Sequence, residues 1–132
     1  MKKFALLLLI FAWPLLLSGQ DKKAVKNKLK SITVYEQDFV KGGGPLRESV
    51  IKYDEEGNIL EEVEYKQGKV VKHFVYQFDS ENNKIKETEY DPSGKKIRVS
   101  EYKYTNNLRT EKTVFDANNK VLSKKTYKYE TY

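Results

Sequence analysis

The chain of 132 residues has no cysteine, one histidine and 3 prolines. Without cysteine there is no disulfide, no thiolate metal ligand and no thiol nucleophile. Zinc and copper sites need clustered His or Cys ligands, and His73 stands alone, so we expect no metal site and no cofactor. No G-x-S-x-G or S-x-x-K signature places a nucleophile beside a base, and nothing in the sequence singles out His73. We therefore expect a protein that is not an enzyme.

Long apolar runs are missing after residue 17. Before it, Lys2 and Lys3 precede a 14-residue apolar run at positions 4–17, followed by the small and polar Ser18, Gly19 and Gln20. This layout is typical of a bacterial secretory signal peptide, and the run is shorter than the roughly 20 residues of a spanning helix. We expect a leader at residues 1–20 that is cleaved after residue 18, 19 or 20. The protein would then be exported, periplasmic or secreted, with no membrane span after cleavage.

A lipid attachment site is missing as well. Leu17-Ser18-Gly19 resembles the start of a bacterial lipobox, in which a cysteine follows, but Gln20 follows here. The thiol that would carry the lipid is absent, so the sequence predicts export without a lipid anchor.

A strong surplus of one charge is also absent. Without Lys2 and Lys3, 23 Lys and Arg stand against 19 Asp and Glu, a balance of +4. This is too small to indicate nucleic acid, and export favours a glycan, a peptide or a cell-envelope protein as partner. Residues 47–66 hold seven acidic and three basic side chains, whereas 95–132 hold ten basic and four acidic. We expect an acidic end and a basic end.

What the chain does have is a series of short alternating runs rich in Tyr, Val, Ile and Thr, separated by Gly or Asn turns. This pattern predicts strands and hairpins. Residues 21–30 form either a short helix or a disordered linker, and residues 31–132 an all-β antiparallel meander. The eight predicted strands are 31–40, 46–54, 58–66, 69–79, 83–91, 95–105, 108–116 and 120–130.

Four of the predicted turns share one pattern, with Asp first and Gly or Asn fourth. The Asp side chain stabilises a type I turn, and Gly and Asn most readily adopt the positive φ of a following left-handed residue. Gln67-Gly68 and Asn106-Asn107 are typical of two-residue primed turns. The structural residues of the four longer turns are Asp54 and Gly57, Asp79 and Asn82, Asp91 and Gly94, and Asp116 and Asn119.

Aromatic residues recur with one period. The steps from Tyr53 to Phe78, Tyr104 and Tyr129 are 25, 26 and 25 residues. A second series, which also steps by 25 residues, consists of Tyr65, Tyr90 and Phe115. Two interleaved series with the same period predict a repeated two-stranded unit about 25 residues long.

Two of these units carry a family resemblance. Tyr53-Asp54-x-x-Gly57-Asn58-Ile59 and Tyr90-Asp91-x-x-Gly94-Lys95 resemble the YD (RHS-type) repeats of bacterial exported and surface proteins. The resemblance spans residues 50–130 and implies spiralling β-sheets, which in that family enclose toxins or carry polysaccharide-binding surfaces. This chain is too short for an enclosing shell. It also resembles small exported Bacteroidetes proteins of unknown function that are built from similar hairpins, and the resemblance implies no catalytic residues.

Simple alternation across these hairpins predicts that every aromatic residue from 53 to 129 lies on one face of the sheet. Basic side chains share that face, and Tyr and Phe rings beside Lys and Arg can stack on sugars and contact anionic groups. A ladder of Tyr and Lys that merely stabilises the sheet is the alternative interpretation. The predicted binding residues are Lys72, Phe74, Tyr76, Lys86, Tyr90, Arg98, Tyr102 and Tyr104.

The same alternation separates the acidic cluster of residues 52–65. It places Glu61 on the aromatic face, Glu62 and Glu64 on the other, and Asp54 in a turn. We expect a solvated surface here, with weak calcium binding as the alternative.

Two architectures fit this pattern. We favour an open, twisted sheet over a closed barrel, because strand 83–91 offers no consistently apolar face. The favoured function is a binding or structural module that uses the aromatic and basic face. The alternative is a small up-and-down barrel carrying an apolar ligand, with strand 120–130 paired to strand 31–40. In the open sheet, the first and last strands are edges at which self-association can occur.

Overall fold

The computed structural model describes residues 20–132. Within that range, one helix precedes eight strands that form a single antiparallel sheet in chain order. The sheet is open, since β1 and β8 lie at its two edges, and the predicted all-β meander is confirmed. The elements are α1 (Lys22–Asn27), β1 (Ser31–Glu36), β2 (Leu46–Tyr53), β3 (Ile59–Lys66), β4 (Lys69–Phe78), β5 (Lys84–Tyr90), β6 (Lys96–Thr105), β7 (Leu108–Asp116) and β8 (Val121–Thr126).

The predicted leader lies outside the described residues, apart from Gln20. Among residues 20–132, no helix is long and apolar enough to cross a membrane.

The helix α1 is short and packs against the first repeat. Asp21 begins it by accepting the backbone N–H groups of Lys23 and Ala24 at 2.9 and 3.2 Å, as an N-cap does. Asp21 also donates its own N–H to the carbonyl of Gly57 at 2.9 Å. Ala24 is 1% exposed. Of the two alternatives for residues 21–30, the structure has the short helix, and it covers the turn between β2 and β3.

The long turns have the geometry that the Asp-to-Gly/Asn pattern predicts. In each, one carboxylate oxygen of the Asp accepts backbone N–H groups two and four residues later, at 2.8–3.0 Å. The fourth residues have positive φ: 81° at Gly57, 63° at Asn82, 88° at Gly94 and 64° at Asn119. In both short turns, both central residues have positive φ, as type I′ turns require.

Every hairpin also contains a β-bulge that simple alternation does not predict. The register shifts in each of the seven strand pairs, one or two pairs beyond the turn. The extra residue is always in the second strand of the hairpin, and it reverses the faces shared by the residues beyond it. The seven extra residues are Glu48, Leu60, Val71, Ile85, Ile97, Thr110 and Leu122.

The bulges divide the aromatic residues between two faces. We call the surface that contains Phe74, Tyr76 and Tyr102 the tyrosine face, and the opposite surface, which contains His73 and Tyr90, the histidine face. Tyr90 pairs with His73 across β4 and β5, and Phe115 pairs with Val99 across β6 and β7. Both rings therefore lie on the histidine face. The prediction that every aromatic from 53 to 129 shares one face is wrong.

The acidic residues of β3 are exchanged for the same reason. Glu62 and Glu64 pair with Phe74 and Lys72, which places them on the tyrosine face. Glu61 pairs with Val75, beside His73, on the other face. The predicted positions of these three carboxylates are reversed by the bulge at Leu60.

Buried side chains are few and lie on both faces. Val63 and Val99 are 8% and 6% exposed on the histidine face, and Tyr53 and Tyr102 are each 7% exposed on the tyrosine face. No described element covers either face of the central strands. The fold is a single layer held by backbone ladders and cross-strand side-chain pairs, and both of its faces remain available to a partner.

Candidate binding face

Six of the eight predicted binding residues share the tyrosine face, and two do not. Lys86 pairs with Gln77 and Glu101, and Tyr90 pairs with His73. Both therefore lie on the histidine face, because the bulges at Ile85 and Ile97 change the register around β5. The six that lie together are Lys72, Phe74, Tyr76, Arg98, Tyr102 and Tyr104.

Cations and tyrosine rings alternate across the middle of the tyrosine face. Lys84 Nζ lies 5.0 Å from the centre of the Tyr76 ring and 5.3 Å from that of Tyr102. Twenty-five residues later in the chain, Arg109 Cζ lies 4.4 Å from the centre of the Tyr102 ring and 5.9 Å from that of Tyr127. These distances are those of cation–π contacts. The repeat therefore has a chemical basis, a cation placed between consecutive tyrosines.

Hydrogen bonds fix the hydroxyl groups of this row. The Tyr104 hydroxyl donates to the Lys84 carbonyl at 2.7 Å, and Tyr129 does the same to the Arg109 carbonyl at 2.6 Å. Tyr76 donates to a carboxylate oxygen of Glu62 at 2.7 Å. These three hydroxyl groups already have partners, so the tyrosines of this row mainly join strands together.

Burial keeps the phenols of Tyr76 and Tyr102 protonated. It raises the pKa of Tyr102 to about 12, with the nearby charge of Glu87 acting in the same direction. Burial, followed by the hydrogen bond to Glu62, raises the pKa of Tyr76 as well. Burial also raises the pKa of Glu62, although the hydrogen bond from Tyr76 opposes the shift. At neutral pH, the Tyr76 and Tyr102 side chains are therefore uncharged.

A shallow groove of about 490 Å³ runs along the tyrosine face beside this row. Phe74 provides its aromatic surface, and this ring stacks on Tyr76 at 6.3 Å between centres and 9° between planes. Arg98 is exposed, and Lys112 is half-buried. The groove thus combines one ring with cations, carboxylates and hydroxyls, and its lining residues are Phe74, Glu87, Glu89, Arg98, Ser100, Lys112, Val114, Leu122 and Ser123.

Sequence reasoning identified two of these lining residues, Phe74 and Arg98, and missed the polar groups around them. Glu89 and Glu87 pair with Phe74 and Tyr76. Simple alternation places Glu87 and Glu89 on the opposite face, because it does not include the bulge at Ile85. The charge alternation of β5, Lys-Ile-Lys-Glu-Thr-Glu-Tyr, contains both carboxylates but does not state their register.

The histidine face has a smaller polar cluster. His73 Nε2 and Lys52 Nζ each lie 3.0 Å from a carboxylate oxygen of Glu61, and the His73 and Tyr90 rings are 5.0 Å apart. Burial alone would raise the pKa of Glu61, but the hydrogen bonds and charges of Lys52 and then His73 hold it below its usual value. Among residues 20–132, no three His, Asp or Glu side chains are grouped so that they could hold a metal ion.

No family model matches the chain, and no curated protein is significantly similar to it. Two solved structures share a weak likeness. One is a crystal structure of TarM, 13% identical with a TM-score of 0.31, covering 78% of this chain and 24% of TarM. The other is a variant of S. aureus TarM in complex with fondaparinux, alpha-GlcNAc-glycerol and UDP, 13% identical with a TM-score of 0.30, covering 77% and 24%. The chain spans about a quarter of the length of these proteins.

Proposed function

We propose that the chain is an exported, non-enzymatic glycan-binding module that uses the groove of the tyrosine face. The observation that carries the proposal is one groove that joins the Phe74 ring of β4, the carboxylates Glu87 and Glu89 of β5, and the cations Arg98 and Lys112 of β6 and β7. Aromatic faces stack on the C–H surface of a sugar, and sugar hydroxyls need both donors and acceptors around them. This groove offers all three within one open surface.

The shape of the groove favours a glycan over a peptide. Peptide recognition uses deep pockets for anchoring side chains, or a sheet edge for backbone pairing. The groove is open, has a single aromatic ring and runs across the strands from β4 to β8, so it is formed by side chains of the sheet face and not by the backbone of an edge. The resemblance to YD repeats, which carry polysaccharide-binding surfaces in other proteins, supports the same class of ligand.

Export rests on the layout of residues 2–20, with two lysines, an apolar run and a small polar segment.

The barrel alternative does not agree with the structure. It required strand 120–130 to pair with strand 31–40, but β1 and β8 lie at opposite edges of an open sheet. A barrel encloses its ligand behind paired strands, and this sheet has no closed interior. An enclosed apolar ligand is therefore not proposed.

The non-enzymatic part of the proposal rests on the surroundings of His73. Its ring is in contact with Glu61 and Tyr90. A hydrolytic triad needs a hydroxyl or thiol nucleophile within hydrogen-bond reach of the imidazole, and no such bond to His73 is present among residues 20–132. We expect no hydrolysis in a hydrolase screen, and an activity that His73→Ala abolishes would contradict this account.

Binding to a panel of soluble and insoluble polysaccharides tests the proposal. Phe74→Ala removes the ring of the groove and should weaken binding about tenfold. Tyr90→Ala is the matched control, since it removes a half-buried ring from the adjacent strand on the opposite face and should leave binding unchanged. Far-UV circular dichroism must show both variants folded. Loss of binding in Tyr90→Ala alone, or wild-type binding in Phe74→Ala, would contradict the proposal.

A further inference from the structure

The strand β1 is an edge strand without the usual protection against pairing. All six of its residues are exposed, and Ile32, Val34 and Tyr35 are 36%, 40% and 58% exposed. Natural edge strands are commonly protected by lysines, prolines or bulges that discourage a second chain. The other edge, β8, has two adjacent exposed lysines, Lys124 and Lys125. β1 has no lysine or proline within it.

The hydrogen-bonding groups of β1 show which residues are available. The carbonyl of Lys30 accepts the N–H of Tyr53 at 2.9 Å, so Lys30 belongs to the ladder with β2. Ladder bonds alternate along an antiparallel strand, so Ile32 and Val34 also bond to β2. The N–H and C=O groups of Ser31 and Thr33 therefore point outward from the sheet.

The sequence of this segment is self-complementary when paired antiparallel with a second copy centred on Thr33. Thr33 then lies opposite Thr33 of the second copy. The outward-pointing N–H and C=O groups of the two strands therefore face one another and can form hydrogen bonds. Ile32 lies opposite Val34, and Lys30 lies opposite Glu36. The charged pair occurs twice by symmetry, once at each end. Thr–Thr, aliphatic and opposite-charge cross-strand pairs are all favourable.

The two charged groups are available for such pairing. Lys30 and Glu36 are both exposed, and among residues 20–132 neither side chain has an ion pair or a hydrogen bond. Lys30, Ile32, Val34 and Glu36 alternate onto one face, the side on which Ile32 pairs with Ile51. In β8, a two-fold register centred on Lys124 or on Lys125 sets lysine opposite lysine, which disfavours pairing of that edge.

We infer that β1 is a dimerisation strand: two copies pair antiparallel through residues 30–36, with Lys30 opposite Glu36, and form one continuous sixteen-stranded sheet. A two-fold interface of this kind closes after two copies. The inference concerns the edge of the sheet and is independent of the proposed glycan groove.

Sedimentation velocity over a range of protein concentrations tests the inference, using protein purified as the cell processes it. The wild type should show a reversible monomer–dimer equilibrium. Lys30→Glu and Glu36→Lys each set like charges opposite one another twice, and should raise the dimer dissociation constant roughly tenfold. The double variant Lys30→Glu/Glu36→Lys restores opposite charges and should dimerise like the wild type.

Two further variants separate pairing from folding. Thr33→Pro removes an N–H that points outward, so it should abolish the dimer while far-UV circular dichroism stays unchanged. Lys125→Glu, on the other edge, should leave the dimer unaffected. A wild-type chain that is monomeric at every concentration would overturn the inference. So would a double variant that stays dissociated, or a ladder of higher oligomers, which would indicate head-to-tail pairing of β1 with β8.

Discussion

The side-chain amide of Asn58 donates a hydrogen bond to the side-chain oxygen of Asn82, 2.8 Å away in the neighbouring turn. One repeat later, Asn83 donates to Asn107 in the same way at 2.9 Å. Each donor amide also bonds to the Asp that begins its own turn, Asp54 or Asp79. The turns at this end of the sheet are thus linked side to side, which gives the 25-residue repeat a function in stability.

Replacing the asparagine that donates this bond should lower stability more at Asn58, where the link is buried, than at Asn83. Asn58 is 1% exposed, whereas the equivalent bond of Asn83 lies at the surface. We expect Asn58→Ala to lower the free energy of unfolding by about 2–3 kcal/mol and Asn83→Ala by about 1 kcal/mol, because buried partners cannot turn to water. Urea unfolding of the two variants measures the difference. Equal losses would show that burial by α1 adds nothing to the link.

A second matched pair of substitutions tests the contact between α1 and the sheet. Gly57 and Gly94 occupy equivalent turn positions with φ of 81° and 88°. A Cβ atom at Gly94 meets no atom within 4 Å, whereas one at Gly57 would collide with Val25 Cγ2 and approach the Asp21 carbonyl to 3.0 Å. Gly94→Ala should cost about 1 kcal/mol through φ alone, and Gly57→Ala clearly more.

The excess cost of Gly57→Ala should appear together with loosening of α1. Trypsin cleavage at the lysines of residues 22–30 reports that loosening, and we expect faster cleavage in Gly57→Ala than in Gly94→Ala. Similar stability and cleavage in the two variants would mean that α1 is not held by this turn.

The cation between the tyrosine rings should contribute to stability through its planar shape. Arg109 Cζ lies 4.4 Å from the centre of the Tyr102 ring, and the guanidinium also donates to the Tyr104 hydroxyl at 3.4 Å. Arg109→Ala should lower the free energy of unfolding by about 2 kcal/mol, through lost packing and lost cation–π contacts. Arg109→Lys should recover part of that loss, because lysine restores the positive charge but not the planar guanidinium group. A fully stable Arg109→Ala variant would show that the row is not structural.

Glu62 should make stability depend on pH. Burial raises its pKa in the folded protein above that of the unfolded chain. The folded state therefore holds the proton more tightly, and the contribution of Glu62 to stability falls as the pH rises between the two values. Glu62→Gln keeps an acceptor for Tyr76 without the charge, and should be more stable than the wild type at neutral pH by on the order of 1 kcal/mol.

That advantage should vanish in acid, where Glu62 of the wild type is itself protonated. Chemical unfolding at neutral pH and below pH about 4 measures both values. Glu64→Gln, two residues along on the same face, serves as the control and should show little change at either pH. A Glu62→Gln variant that is destabilised equally at both pH values would contradict the assignment of Glu62 as a buried carboxyl with a raised pKa.

The turns and the strands could be predicted from the sequence, because their signals are local. Asp at the first position and Gly or Asn at the fourth have a direct backbone reason, and the positive φ values at Gly57 and Asn82 agree with it. The 25-residue repeat was also predicted, from the series that begin at Tyr53 and Tyr65. In the structure Lys84 and Arg109, 25 residues apart, both contact the Tyr102 ring.

The faces could not be predicted, because a β-bulge has no residue signature of this kind. The extra residues Leu60, Ile85 and Ile97 are ordinary strand residues that need no positive φ. Each one reverses the alternation beyond it, which moved Tyr90 and Lys86 away from the predicted binding face. The prediction that Phe74 shares a face with Arg98 and Tyr102 agrees with the structure because the two bulges between them, at Ile85 and Ile97, reverse the alternation twice.

Burial also changed the expected role of Tyr102. At 7% exposure beneath Arg109, its ring is part of the packing, so Tyr102→Ala should destabilise the sheet. Phe74 is half-exposed in the groove and is the better test of binding.

Mapping of amide and side-chain NMR shifts during titration with a polysaccharide fragment that binds tests the central claim most directly. The account predicts shift changes grouped on the tyrosine face around Phe74, Arg98 and Lys112, with His73 and Tyr90 unaffected. Shift changes grouped on the histidine face, or along the edge strand β1, would contradict the groove as the binding site.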